Sequence, residues 1–130
     1  MSTFLYPIEI GDIDQSQFQT IEAWVDTGAS YTWIPRPILE RLGYLPTGRR
    51  RFRVANGSII ERDTCRVHLR IGQEVQYTLC VFGDDDSEPL IGATALEELA
   101  LGVDPVNHTL VPIVLNMLSF NPEVDNDSSN

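Results

Sequence analysis

Asp26, Thr27 and Gly28 stand together where an apolar run stops. Ile21, Ala23 and Val25 alternate through the residues before them, the period-two pattern of a half-buried strand. A carboxylate at the end of such a strand is held by a rigid element and offered by a loop, which suits acid–base chemistry. Gly28 breaks the ladder, because glycine accepts backbone angles that other residues avoid. Asp-Thr-Gly also makes an ordinary surface turn, so its meaning depends on the rest of the chain.

Two further stretches bear on it. Pro89-Leu90-Ile91-Gly92-Ala93 reads as a short buried strand. Thr94-Ala95-Leu96-Glu97 follows with the spacing of a capping box, which predicts a helix capped by Thr94. Between the two motifs, Asn56-Gly57 is flanked by 52–55 and 58–61, the signature of a two-residue hairpin turn.

Asp26-Thr27-Gly28-Ala29-Ser30, with Leu90-Ile91-Gly92 and a helix downstream, resembles the retropepsin-like, single-lobe aspartic proteases over residues 4–113. The resemblance implies an all-β fold, a closed β-barrel with one or two short helices. It implies peptide hydrolysis with catalytic residues Asp26, Thr27 and Gly28. It places substrate along Ala29, Ser30, Ala55, Asn56, Gly57, Ser58, Leu90 and Ile91, with the hairpin tip as a flap. Thr27 would brace the loop across a dimer, and Gly28 would let substrate backbone approach. Retroviral members usually carry an acid two residues after the motif's Gly and an Arg after the second motif's Gly. Here those positions hold Ser30 and Ala93, so both partners of that ion pair are absent together and no buried charge is stranded.

The chemistry of this family needs two aspartates facing one water, and close carboxylates share a proton and titrate as a pair. The chain has one Asp-Thr-Gly. Asp12, Asp14 and Asp104 lie in turn contexts without the Thr-Gly. The second carboxylate is therefore expected from another copy of Asp26 in a symmetric homodimer. Strands at 4–10 and 108–114 would add to its interface through otherwise exposed edges. A dimeric interaction module of the same fold without efficient proteolysis remains an alternative. An aspartyl-phosphate enzyme calls for a parallel sheet with alternating helices, which closely spaced strands oppose.

The chain has 130 residues, enough for one domain with a modest core, expected over 1–120 with a disordered acidic tail at 121–130. Its net charge is −10 and its nine basic residues are all Arg. Such a field disfavours nucleic acid as a partner. The cluster Arg49-Arg50-Arg51-Phe52-Arg53 reads as a solvated strand edge. No apolar stretch is long enough to span a membrane and no signal peptide is apparent, so a cytoplasmic protein is expected. No cofactor is expected. No metal is expected either: the 83–88 loop lacks cation-site spacing, and His68 and His108 are isolated.

The remaining elements follow in order. Residues 4–10 read as a strand, with Pro7 marking an edge. Residues 18–26 return as the second strand, and 31–34 form a third. A helix at 38–42 stops at Gly43, after prolines at its start. Strands at 64–71 and 75–81 join through a turn at Gly72-Gln73-Glu74. The register matching Val67 with Leu79 would put Cys65 and Cys80 on opposite faces, as reduced thiols. The second helix presents Leu96, Leu99 and Ala100 and stops at Leu101-Gly102, echoing Leu42-Gly43. A turn at 103–105 and a last strand at 108–114 complete the chain.

Overall fold

The computed structural model describes residues 3–114. The tail at 121–130 and the end of the expected domain lie outside the described residues. The protein is all-β with two short helices. Strands β1 (Leu5–Gly11), β2 (Phe18–Val25) and β3 (Thr32–Pro35) lead into helix α1 (Arg36–Arg41). Strands β4 (Gly48–Arg53), β5 (Ile59–Ile71), β6 (Glu74–Gly83) and β7 (Leu90–Ile91) precede helix α2 (Ala93–Glu98). A small hairpin of β8 (Leu101–Asp104) and β9 (Thr109–Pro112) follows.

Seven strands form one sheet in the order β1-β2-β7-β3-β6-β5-β4. The sheet turns back on itself, because Glu9, Ile10 and Gly11 of β1 also pair with Arg70, Leu69 and His68 of β5. Pro7 lies in the half of β1 that faces β2 alone, opposite Glu22, where a missing N–H breaks no second ladder. Alternation sets what goes inside: Ile8 and Ile10 from β1, Ala23 and Val25 from β2, Val67 and Leu69 from β5 are all buried. Leu39 of α1 and Leu96 of α2 close over the same core. Tyr44 anchors the chain after α1: its buried hydroxyl donates to Gly11 O at 2.6 Å and accepts from His68 N at 3.2 Å. Burial pushes that phenol up to about 12.

Four local expectations differ from the structure. The β5–β6 hairpin turns on two residues, Gly72 and Gln73, with Ile71 opposite Glu74 and Gly72 at φ +63°. That register places Val67 opposite Thr78 and Cys65 directly opposite Cys80, on one face. A one-residue difference in the turn is enough to move every side-chain match. Both thiols are free and buried, and burial pushes Cys65 up to about 12 and Cys80 well above its ordinary value.

The second helix begins two residues earlier than a Thr94 cap requires. Its N-cap is Gly92 and no side chain caps it. It also ends before Leu101-Gly102: Ala100 takes φ +55°, its N–H bonds to Glu97 O, and Leu101 already opens β8. The echo with Leu42-Gly43 therefore fails, although Gly43 does end α1 at φ +94°. The last strand is shorter than 108–114 and pairs with β8, whose residues include part of the expected turn.

The hairpin carrying Asn56-Gly57 is also wider than a two-residue turn. Arg53 pairs with Ile59, and Gly57 N bonds to Val54 O at 2.8 Å. Asn56 keeps a negative φ while Gly57 stands at φ +89°. A primed two-residue turn needs positive φ at both positions. The observed geometry is a turn over 54–57 with glycine in the left-handed position, as in a longer bulged loop.

Candidate active site

Asp26 follows β2 directly, and its position is fixed from both sides of the chain. Its N–H donates to Ile91 O at 3.0 Å, which continues the parallel pairing of Trp24 with Leu90 and Val25 with Ile91. Its Oδ1 accepts from Gly28 N at 2.9 Å, so the loop's own backbone orients the carboxylate. Asp26 is half-buried, while Thr27 and Gly28 are exposed.

The loop is held from behind by α2. Ala93 N donates to Ala29 O at 2.8 Å, and Thr94 N donates to Ser30 O at 3.0 Å. The first N–H groups of a helix have no partners within it. Here carbonyls of the Asp26 loop take two of them, and no side-chain cap is present. Gly92 makes this approach possible. A Cβ there would lie 2.6 Å from both C and O of Tyr31 and 2.8 Å from Ala29 O. Its φ of −100° is ordinary, so the requirement is for space. Gly92 N also donates to Thr32 Oγ1 at 3.2 Å. The positions Ser30 and Ala93 are thus tied to their neighbours by backbone bonds and carry no charge.

The loop opens on a cleft of about 890 Å³. Asp26, Gly28, Ala29, Ser30 and Leu90 form one side of it. Residues from Arg50 to Ala55, on β4 and the start of the hairpin turn, form the other. Tyr31 and Trp33 complete the lining. Phe52 packs against both rings, 6.3 Å from Tyr31 and 5.1 Å from Trp33 between centroids. Arg50 Nη1 donates to the Tyr31 hydroxyl at 3.0 Å, with its guanidinium 5.5 Å from that ring's centroid.

Apart from Thr27, which is exposed and not among the cleft-lining residues, the candidate residues fall into three groups. Asp26, Gly28, Ala29, Ser30, Ala55 and Leu90 share the cleft. Asn56, Gly57 and Ser58 form the exposed hairpin tip and are not among the cleft-lining residues. Ser58 N donates to Asn56 Oδ1 at 2.9 Å, and the Ser58 hydroxyl bonds the same oxygen. Ile91 is fully buried and acts through its carbonyl.

Tyr31, Trp33, Arg50, Arg51, Phe52 and Arg53 were missed by sequence reasoning. The arginine run does lie on an edge strand, since among the described residues β4 pairs only with β5. The same strand also walls the cleft. The available signal was the alternation of Tyr31 with Trp33 and of Arg50 with Phe52, which sets an aromatic on one face of each strand.

A sequence model of the family described as aspartyl protease matches residues 7–104. The chain belongs to the aspartyl protease family. The match takes in the Asp26 loop, the hairpin, β7 and α2. Among solved structures, a retropepsin-like aspartic protease from Rickettsia conorii shares the fold with a TM-score of 0.51. The two are 22% identical, over 79% of this chain and 88% of that one. The search of curated proteins returned no match. Retropepsin-like architecture and protease-type function thus agree with the Asp-Thr-Gly loop described above.

Proposed function

We propose that this aspartyl protease is an endopeptidase that works as a symmetric homodimer, with Asp26 of each copy forming the catalytic pair. One carboxylate takes a proton from the attacking water. The other, protonated, donates to the scissile carbonyl. Two like charges at that distance cannot both persist, so the pair shares a proton and titrates as a unit.

The observation that carries the reading is the composition of the cleft. Asp26 is oriented and half-buried there, and it is the only carboxylate among the described residues of the lining. Two of the other candidate acids serve elsewhere. Asp12 accepts from Ser16 N and Oγ at 2.8 and 2.7 Å. Asp104 closes the β8–β9 turn through Val106 N, Asn107 N and Asn107 Nδ2. A second copy of Asp26 supplies what one chain lacks. The apolar side chains of Leu5, Val111 and Ile113 are 48%, 37% and 42% exposed, and they support a role for the strands near both ends of the fold in that contact. The β4–β5 hairpin would serve as the flap that closes over bound peptide and excludes water.

Peptide-library digestion from acid to neutral pH, read by mass spectrometry beside sedimentation, tests this. Specific activity should fall on dilution through the dimer dissociation constant. Asp26→Asn should abolish hydrolysis with an unchanged circular dichroism spectrum, and its subunit should poison a wild-type partner. A monomer with full specific activity at every dilution would sink the shared pair. A folded dimer that cleaves nothing in the library would make the chain an interaction module.

A further inference from the structure

Resting on the proteolytic reading above, we propose that the cleft selects peptides with acidic side chains flanking an apolar residue, and that Arg50, Arg51 and Arg53 read those carboxylates. The argument begins with where the chain leaves its cations. It has nineteen acids and nine arginines, so an arginine without a carboxylate is not the expected state. Arg36, Arg49, Arg62 and Arg70 each have an acidic partner. Among the described residues the other five have none within ion-pair distance. Three of those five, Arg50, Arg51 and Arg53, line the cleft that holds Asp26. A fourth, Arg66, lines an adjoining recess of about 430 Å³ together with Arg50. Only Arg41 lies elsewhere, against Gln19.

The nearby acids are already committed. Asp63 and Glu61 face Arg49 and Arg51 across the β4–β5 ladder, yet both pair with Arg49. Arg50 is held by the Tyr31 hydroxyl, and Arg53 Nη1 donates to Gly57 O at 3.0 Å. A guanidinium has five N–H donors, so each of these retains donors for a carboxylate. The rings of Tyr31, Trp33 and Phe52 share that lining with the cations and Asp26, and they offer an apolar surface for a neighbouring side chain of the peptide.

The net charge of −10 opposes an acidic substrate only from afar. Screening cuts that field within about 8 Å at physiological ionic strength. The lining of the cleft includes three arginines and one carboxylate, Asp26, and the local balance is positive. Cations interleaved with rings also suit a single-stranded nucleic acid. A polyanion, however, brings many charges against the whole chain, and a peptide with one or two acids brings few.

The test uses the Asp26→Asn form of the whole chain, which should hold peptide without cleaving it, and fluorescent peptides identical but for Glu or Gln beside an apolar centre. Glu peptides should bind about tenfold more tightly in 0.15 M salt, as expected for a charge-assisted hydrogen bond. The ratio should shrink in 1 M salt. It should approach one in a version that also carries Arg50→Gln, Arg51→Gln and Arg53→Gln, and persist with Arg41→Gln instead. Because the peptide is changed as well as the protein, a folding defect in the arginine variant does not obscure the answer. Equal binding of Glu and Gln peptides overturns the proposal, as does a single-stranded oligonucleotide that displaces the acidic peptide at lower concentration than a second acidic peptide. Wild-type cleavage without acidic preference refutes this inference alone. A Glu preference in binding without any wild-type cleavage supports it and refutes the proteolytic reading instead.

Discussion

Gly92→Ala is a small change that should open the Asp26 loop. The added Cβ would sit 2.6 Å from Tyr31 C and O and 2.8 Å from Ala29 O, all backbone atoms that no rotamer change can move aside. Those separations are roughly 0.8 Å inside ordinary contact, so the loop and α2 must part by about that much. Overpacking of this kind costs about 1–3 kcal/mol. The same movement stretches Ala93 N to Ala29 O and Thr94 N to Ser30 O, worth about 1 kcal/mol each. A total of about 3–5 kcal/mol corresponds to a melting temperature lower by about 12–20 °C for a domain this size. A loop displaced by nearly 1 Å should also lose about a hundredfold in kcat/KM. Gly102→Ala is the control: its Cβ would meet Ile113 Cγ2 at 2.7 Å, the end of a side chain that can move. Calorimetry and peptide cleavage on both variants decide the matter. If Gly92→Ala melts within about 2 °C of Gly102→Ala and cleaves as fast, the loop does not depend on this close approach.

Gly57→Val separates conformation from space. Nothing lies within 4 Å of a Cβ at Gly57, so only its φ of +89° resists substitution, at about 1–2 kcal/mol. If the hairpin is a flap, turnover should fall more than stability; unchanged kinetics with an altered turn would make it a plain strand connection. Asp63 carries a pH dependence. Hydrogen bonds from Arg36 and then Arg49 hold its carboxyl below the usual range. A folded value lowered in this way stabilises the fold above the ordinary carboxylate value of about 4, and the contribution is lost as pH falls through the folded value. Asp63→Asn should lower the urea midpoint at neutral pH and flatten its decline in acid; parallel curves would rule this out. Thr78 is fully buried and its Oγ1 has no hydrogen-bond partner among the described residues. Thr78→Val keeps the shape and removes the orphaned hydroxyl, so unfolding should show a gain of up to about 1 kcal/mol, and a clear loss would mean the hydroxyl is satisfied in solution.

The site's centre was legible because it is local. The alternating strand ending in Asp26-Thr27-Gly28 is written in one short run of consecutive residues, and the downstream Leu90-Ile91-Gly92 could be matched to it from sequence. Glycine at 92 is one residue whose reason appears only in three dimensions, where it meets Tyr31 and Ala29 from a distant part of the chain. Thr94 and Glu97 form a capping box on paper, yet the helix N–H groups find better-placed carbonyls at Ala29 and Ser30. The register of β5 on β6 was also out of reach. Gly72-Gln73-Glu74 permits two turn lengths, and the choice between them moves every cross-strand match, bringing Cys65 opposite Cys80. The arginines of β4 show the same division. Their charges and their edge strand could be read from sequence. That the strand faces Asp26 across a cleft depends on how β4 and β5 lie over the loop, and a one-dimensional pattern does not encode which distant elements will share a solvent-filled space.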